Sequence, residues 1–199
     1  MRRLGKRILA GIAACCMVCT TMPEIPVWAD AEGTTYYVDQ DGGNDDASGT
    51  SEAEAWSSLD KINSVTFQPG DRILFQKGDV WTGQLSPKGS GEEGNPIVIG
   101  AYGEGDERPR IDGNNWCGED GDDLENRIFN SAVYFYNQEY WEITSLEVTN
   151  RIPGDNPDDH IKKYGILIMG EDAGTLRHMY CQNLYVHDVV SHPIGQQAG

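Results

Sequence analysis

The chain has 199 residues, with 15 Lys and Arg against 32 Asp and Glu, for a formal net charge of −17. That length allows one domain and at most a small second one. The acidity excludes a sequence-independent nucleic-acid binder, which relies on basic residues to neutralise phosphates, and it excludes a polybasic membrane patch.

Residues 1–29 read as a secretory signal peptide. Arg2, Arg3, Lys6 and Arg7 form a positive start, Ile8 to Val18 a short apolar run, and Val27-Trp28-Ala29 a cleavage site, with Ala29-Asp30-Ala31 as a second. The apolar run is short for a membrane span, so none is expected after signal removal. The expected location is therefore secreted or cell surface. Ile12-Ala13-Ala14-Cys15 resembles a bacterial lipobox, which makes lipid on Cys15 a minor alternative. Removing four basic residues and Glu24 takes the net charge from −17 to −20. Cys117 and Cys181 then remain, and their separation says nothing about pairing.

Residues 30–70 read as an N-terminal strand, an acidic loop and a capping helix. Tyr36-Tyr37-Val38 is a strand, and Asp39 to Thr50 is a loop rich in Gly and Asp. Trp56, Leu59 and Ile62 fall three apart and predict a short helix over 57–64, with Ser57 and Asp60 approximating a capping box. Pro69-Gly70 ends the unit. Residues 71–199 then carry only strand patterns: Arg72–Phe75, Ile97–Ile99, Val133–Tyr136, two alternating runs over Trp141–Thr149, Ile166–Met169, and a last run with Leu184, Val186 and Val189. Short strands separated by Gly, Asn, Asp or Pro are an all-β pattern.

The strands repeat. Tyr140 to Asn150 aligns with His178 to Asp188, 38 residues on, and Val133–Tyr136 aligns with Ile166–Met169, 33 residues on. An insertion around Gly170 to Thr175 explains the difference. Several short strands per repeat predict a parallel β-helix whose coils bury their inner side chains by stacking. Asn150 and Asp188 are expected to stack at a corner. A β-sandwich is the competing reading.

Tyr36-Tyr37-Val38 with Gly43-Asn44-Asp45 and Gly49-Thr50 resembles the opening of secreted bacterial right-handed parallel β-helix proteins of the pectate lyase-like superfamily. Phe67 to Phe75, Asn95 to Gly103, Ile111-Asp112-Gly113 and Leu184 to Asp188 continue the match in order. The resemblance covers about residues 35–190. It implies a right-handed solenoid acting on extracellular polysaccharide, with further coils and a cap beyond those seen here. On that basis 71–199 are the first coils of a β-helix without a C-terminal cap, and the chain is a fragment. A monomer is expected.

Asp39, Asp41 and Asp45 put oxygen ligands in a glycine-rich loop, which suits calcium; a solvated Asx turn is the commoner use of such residues, and the EF-hand spacing is absent. Asp158, Asp159 and His160 lie in a second acidic loop, which the resemblance places at the wall of a substrate groove. They read as metal ligands (Asp158, Asp159) or sugar contacts (Asp158, His160), or as plain surface polarity. Trp81 and Trp116 could stack on sugar rings or pack in the core; Trp141 alternates with Ile143 and reads as core. His187 and Asp188 end a strand and are candidates for acid–base work or for corner bonds. His178 and His192 have no partner identifiable from sequence.

Two mechanisms compete. A lyase on a uronate polymer needs a base and a neutralised carboxylate. An acidic protein would need calcium to hold that polyanion, and Lys162 or Lys163 would be the base, as the resemblance implies. A glycoside hydrolase on a neutral polysaccharide needs two carboxylates and meets no charge barrier. A non-catalytic glycan-binding solenoid is the third class. The residues lean slightly to the lyase.

Overall fold

The computed structural model describes residues 33–114, 130–151 and 163–189 in full, and 192–198 by their main chain. The signal-peptide reading, Cys15, Trp116, Cys117, Asp158, Asp159, His160 and Lys162 lie outside the described residues, as does the side chain of His192. No described helix is long and apolar enough to cross a membrane.

The strands in chain order are β1 (Thr35–Val38), β2 (Arg72–Gln76), β3 (Val80–Thr82), β4 (Ile97–Tyr102), β5 (Arg110–Asp112), β6 (Asn130–Tyr136), β7 (Trp141–Thr144), β8 (Glu147–Asn150), β9 (Lys163–Gly170), β10 (Met179–Gln182), β11 (Tyr185–Val189) and β12 (His192–Ala198). They form three sheets, ordered β1-β2-β4-β7-β10, β3-β5-β8-β11 and β6-β9-β12. From β4 onward the chain visits the three sheets in fixed rotation. Every ladder between the described strands is parallel. A sandwich of hairpins needs antiparallel ladders, so the competing β-sandwich reading is overturned.

Alternation decides which side chains face the core. In the first sheet Ile73, Ile99 and Ile143 pair in register and are fully buried. In the second, Trp81, Ile111 and Val148 do the same, with 3%, 0% and 0% exposure. Each such row gains roughly 1.5–3 kcal/mol per fully buried side chain, but only because the next strand covers it.

The 33- and 38-residue repeats are the register itself. Val133 pairs with Ile166 and Tyr136 with Met169. Trp141 pairs with Met179 and Val148 with Val186. The corners repeat too: Tyr140 and His178 have φ of 58° and 54°, and Ser145 and Asn183 have 62° and 51°. Asn183 Nδ2 donates to Ser145 Oγ at 3.1 Å, stacking one corner on the other. The expected Asn150–Asp188 stack does not form. The register shifts after Val186, so Val189 meets Asn150. Asn150 turns inward instead, donating to the carbonyls of Asn130 at 3.1 Å and Tyr164 at 2.9 Å.

The helix α1 spans Leu59–Ser64, and its N-cap is Ser58 rather than Ser57. Ser58 Oγ accepts from Lys61 N at 3.1 Å. No capping box forms, because Asp60 sits one position too early to reach back to this N-cap. Leu59 and Ile62 are buried in the same apolar cluster as Val38, Trp56 and Phe67. Trp56 precedes the helix, and its ring stacks on Tyr36 at 4.7 Å.

Candidate functional site

Two clusters of ionisable and aromatic side chains lie on the outer faces of the sheets. Their positions follow from alternation. Ile143 faces inward, so its neighbour Glu142 faces out, and Tyr180 pairs with Glu142 one strand further along. His178 Nε2 lies 2.8 Å from Glu142 Oε1. The His178 ring stacks on Tyr140 at 5.7 Å and 18°, and meets Tyr180 at 4.4 Å and 60°. Arg177 N donates to Glu139 Oε2 at 3.1 Å, which fixes the chain just before the corner. Glu93, Tyr140, Arg177, His178, Met179 and Tyr180 line a shallow pocket of about 760 Å³.

The second cluster lies on β5, β8 and β11, where Arg110, Glu147 and Tyr185 share an outward row. Glu147 Oε1 is 3.5 Å from Arg110 Nη1 and 3.0 Å from His187 Nε2. His187 Nδ1 is 3.0 Å from Asp188 Oδ2, and the Tyr185 ring stacks on the imidazole at 4.2 Å. His187 is two residues on from Tyr185, so alternation sets it on the same outward face, beside Glu147. With a carboxylate at each ring nitrogen, His187 in this arrangement offers no open nitrogen for a substrate proton. It links two strands.

The other sequence candidates are placed apart from these clusters. Trp81 is 3% exposed, packs edge-on against Phe75 at 4.9 Å and donates from Nε1 to Ser57 O at 2.9 Å. Its faces are core, so it is not a sugar platform. Lys163 is buried at 3% exposure on β9, paired with Asn130. Asp39 Oδ1 accepts from the N–H groups of Asp41 at 3.1 Å and Gly42 at 2.6 Å, an Asx turn. Asp45 accepts from Ser57 N at 2.9 Å, Ser58 N at 3.0 Å and the Ser58 hydroxyl. Their carboxylates serve the loop. No three His, Cys, Asp or Glu side chains are gathered for a metal ion among the described residues. Cys181 is a free thiol, and burial pushes its pKa up.

Asp45 carries a pH prediction. Burial acts to raise its pKa, but the bonds from Ser58 and Ser57 outweigh it and hold the carboxyl below the usual 3.8. A depressed carboxyl contributes stability that is present above the unfolded-state pKa and is lost as pH falls through the folded one. Asp45→Asn is therefore less stable than the parent at pH 7 in urea denaturation. The gap closes as the pH drops below 3.8; a gap that is constant with pH contradicts the assignment.

Glu142, Glu147, Arg110, Tyr140 and Tyr180 were not singled out from the sequence. The available signal was the 38-residue register, which sets Tyr180 beside Glu142 and Tyr185 beside Glu147.

No family model matches the sequence. The chain is 29% identical, over a 194-residue alignment, to a lacto-N-biosidase of Bifidobacterium longum subsp. longum, covering 80% of this chain and 12% of that protein. Its fold is similar to that of the selenomethionine derivative of the GH136 lacto-N-biosidase from Eubacterium ramulus, with a TM-score of 0.67, 30% identity, and coverage of 80% of this chain and 28% of that one. The native crystal structure of the same enzyme gives a TM-score of 0.65 at 29% identity. The chain thus spans about an eighth of the curated relative and just over a quarter of the solved one, and both are glycoside hydrolases acting on glycans.

Proposed function

We propose that this chain is part of an exported glycoside hydrolase of the lacto-N-biosidase type, and that its three sheets close into a right-handed parallel β-helix over which α1 sits as a cap. The supporting observation is the agreement with the E. ramulus enzyme, at 30% identity over 80% of the chain. This favours the hydrolase alternative over the lyase. Hydrolysis adds water across a glycosidic bond, using one carboxyl group as acid and a second as base or nucleophile. It requires no cation to bring a polyanion to a chain of net charge −17.

The test is an assay of the protein carrying this chain on an aryl lacto-N-bioside, with pectate and alginate in parallel. The expected result is release of the aryl alcohol with free lacto-N-biose, and no ultraviolet-absorbing unsaturated product from either uronate polymer. Unsaturated products would restore the lyase. Glycan bound but never cut would favour the non-catalytic reading.

A further inference from the structure

We infer that the shallow pocket of Glu93, Tyr140, Arg177, His178, Met179 and Tyr180 is a binding site for a neutral sugar unit of a glycan, with the pyranose ring lying on Tyr180. The inference rests on the glycan-acting reading above and adds a site and a ligand class to it.

The aromatic faces come first. Tyr180 is 56% exposed although its strand β10 is in register with the buried row of β7. Its partner across the ladder is Glu142, an outward residue, so the ring stands on the outer face. Strand pairing at a sheet edge uses main-chain groups and leaves an outer face open. The ring is also braced. His178 meets it at 4.4 Å, His178 is stacked on Tyr140, and His178 Nε2 is held at 2.8 Å by Glu142. Tyr140 and His178 both occupy left-handed corners one repeat apart, so the platform is set by the backbone. A platform ordered before binding loses little side-chain entropy when a ligand arrives.

The polar groups come second. The Glu93 carboxylate and the Arg177 guanidinium form no ion pair among the described residues, and both line the pocket. Each is planar and can bond two neighbouring hydroxyls at once, the carboxylate as acceptor and the guanidinium as donor. Sugars present vicinal hydroxyls around an apolar ring face. One aromatic face with two bidentate heads matches that pattern.

Charge selects among sugars. Glu93 lines the site and Glu142 lies next to it, 2.8 Å from His178 Nε2, with Arg177 as the one permanent cation of the lining. A uronate would add a third carboxylate, whereas a neutral sugar adds none, so the site favours the neutral ligand.

The test is saturation-transfer NMR with the chain, using lacto-N-biose as the neutral probe and digalacturonate as the anionic one. Lacto-N-biose is expected to bind. Tyr180→Ala should weaken it about tenfold, which corresponds to the loss of one ring-stacking contact. Tyr180→Phe keeps the face and should retain binding, and an unchanged urea midpoint for both variants shows that the fold is intact. Digalacturonate should bind more weakly than lacto-N-biose. Lacto-N-biose binding that is absent, or indifferent to Tyr180→Ala, overturns the site, as does digalacturonate binding as tightly. If lacto-N-biose binds through Tyr180 while no aryl lacto-N-bioside is cut, the site stands and the hydrolase reading falls. If hydrolysis proceeds and binding ignores Tyr180, the reverse holds.

Discussion

Trp141→Ala should lower the stability of the chain by about 3–5 kcal/mol, the range for deleting a large buried aromatic. Trp141 is fully buried and has the largest volume among the fully buried side chains. Its ring meets Phe135 at 5.0 Å and Phe67 at 6.3 Å, so it joins the first strand segments to the later ones. Its Nε1 donates to Gly89 O at 3.0 Å. Alanine removes all three contacts and leaves a cavity between strands that cannot collapse, because their spacing is set by ladder hydrogen bonds. Trp141→Phe keeps most of the packing but strands the Gly89 carbonyl, a loss of about 1–3 kcal/mol. Urea denaturation followed by far-ultraviolet circular dichroism measures both. A Trp141→Ala loss below about 1 kcal/mol would mean that the core relaxes around the gap. Glu142 follows Trp141 on β7, so the variant should also blunt the outer cluster around His178.

The fold was legible where a strand carries several apolar residues in alternation. Val133–Tyr136 and Ile166–Met169 were aligned from sequence alone, and the register follows that alignment residue by residue. The three-residue strands β3 and β5 were not read as strands. Each has a single inward residue, Trp81 or Ile111, and one inward residue makes no period. Trp81 was offered as a sugar platform because composition cannot tell an inward Trp from an outward one. Only the pairing of β3 with β5 decides it. Asp188 failed for a different reason: a register shift breaks the repeat after Val186, and an alignment by spacing runs straight through it. The outer clusters were hidden because His178 and Glu142 are 36 residues apart and meet only through the ladder.

Gly89→Ala should also lower stability strongly, by a backbone rather than a packing route. Gly89 has φ of +110°, a region L side chains rarely adopt. Holding alanine there costs about 1–3 kcal/mol. The added methyl would also run into the carbonyl oxygen of Phe67, a main-chain atom with no rotamer to escape into. That oxygen cannot retreat freely, because Phe67 N is tied to Lys88 O at 2.8 Å. Forcing the two segments apart adds roughly 1–3 kcal/mol. The displacement would also disturb Gly89 O, the acceptor for Trp141 Nε1. Gly94 separates the two effects: its φ is +87°, and a methyl there meets nothing within 4 Å. Gly94→Ala should therefore show the dihedral cost alone, and Gly89→Ala clearly more, in the same urea series. Equal losses at the two positions would mean that segments 66–67 and 88–89 are not packed as tightly as their hydrogen bond requires. A Gly89→Ala and Trp141→Phe double variant should lose less than the two singles together, because both act on the same carbonyl.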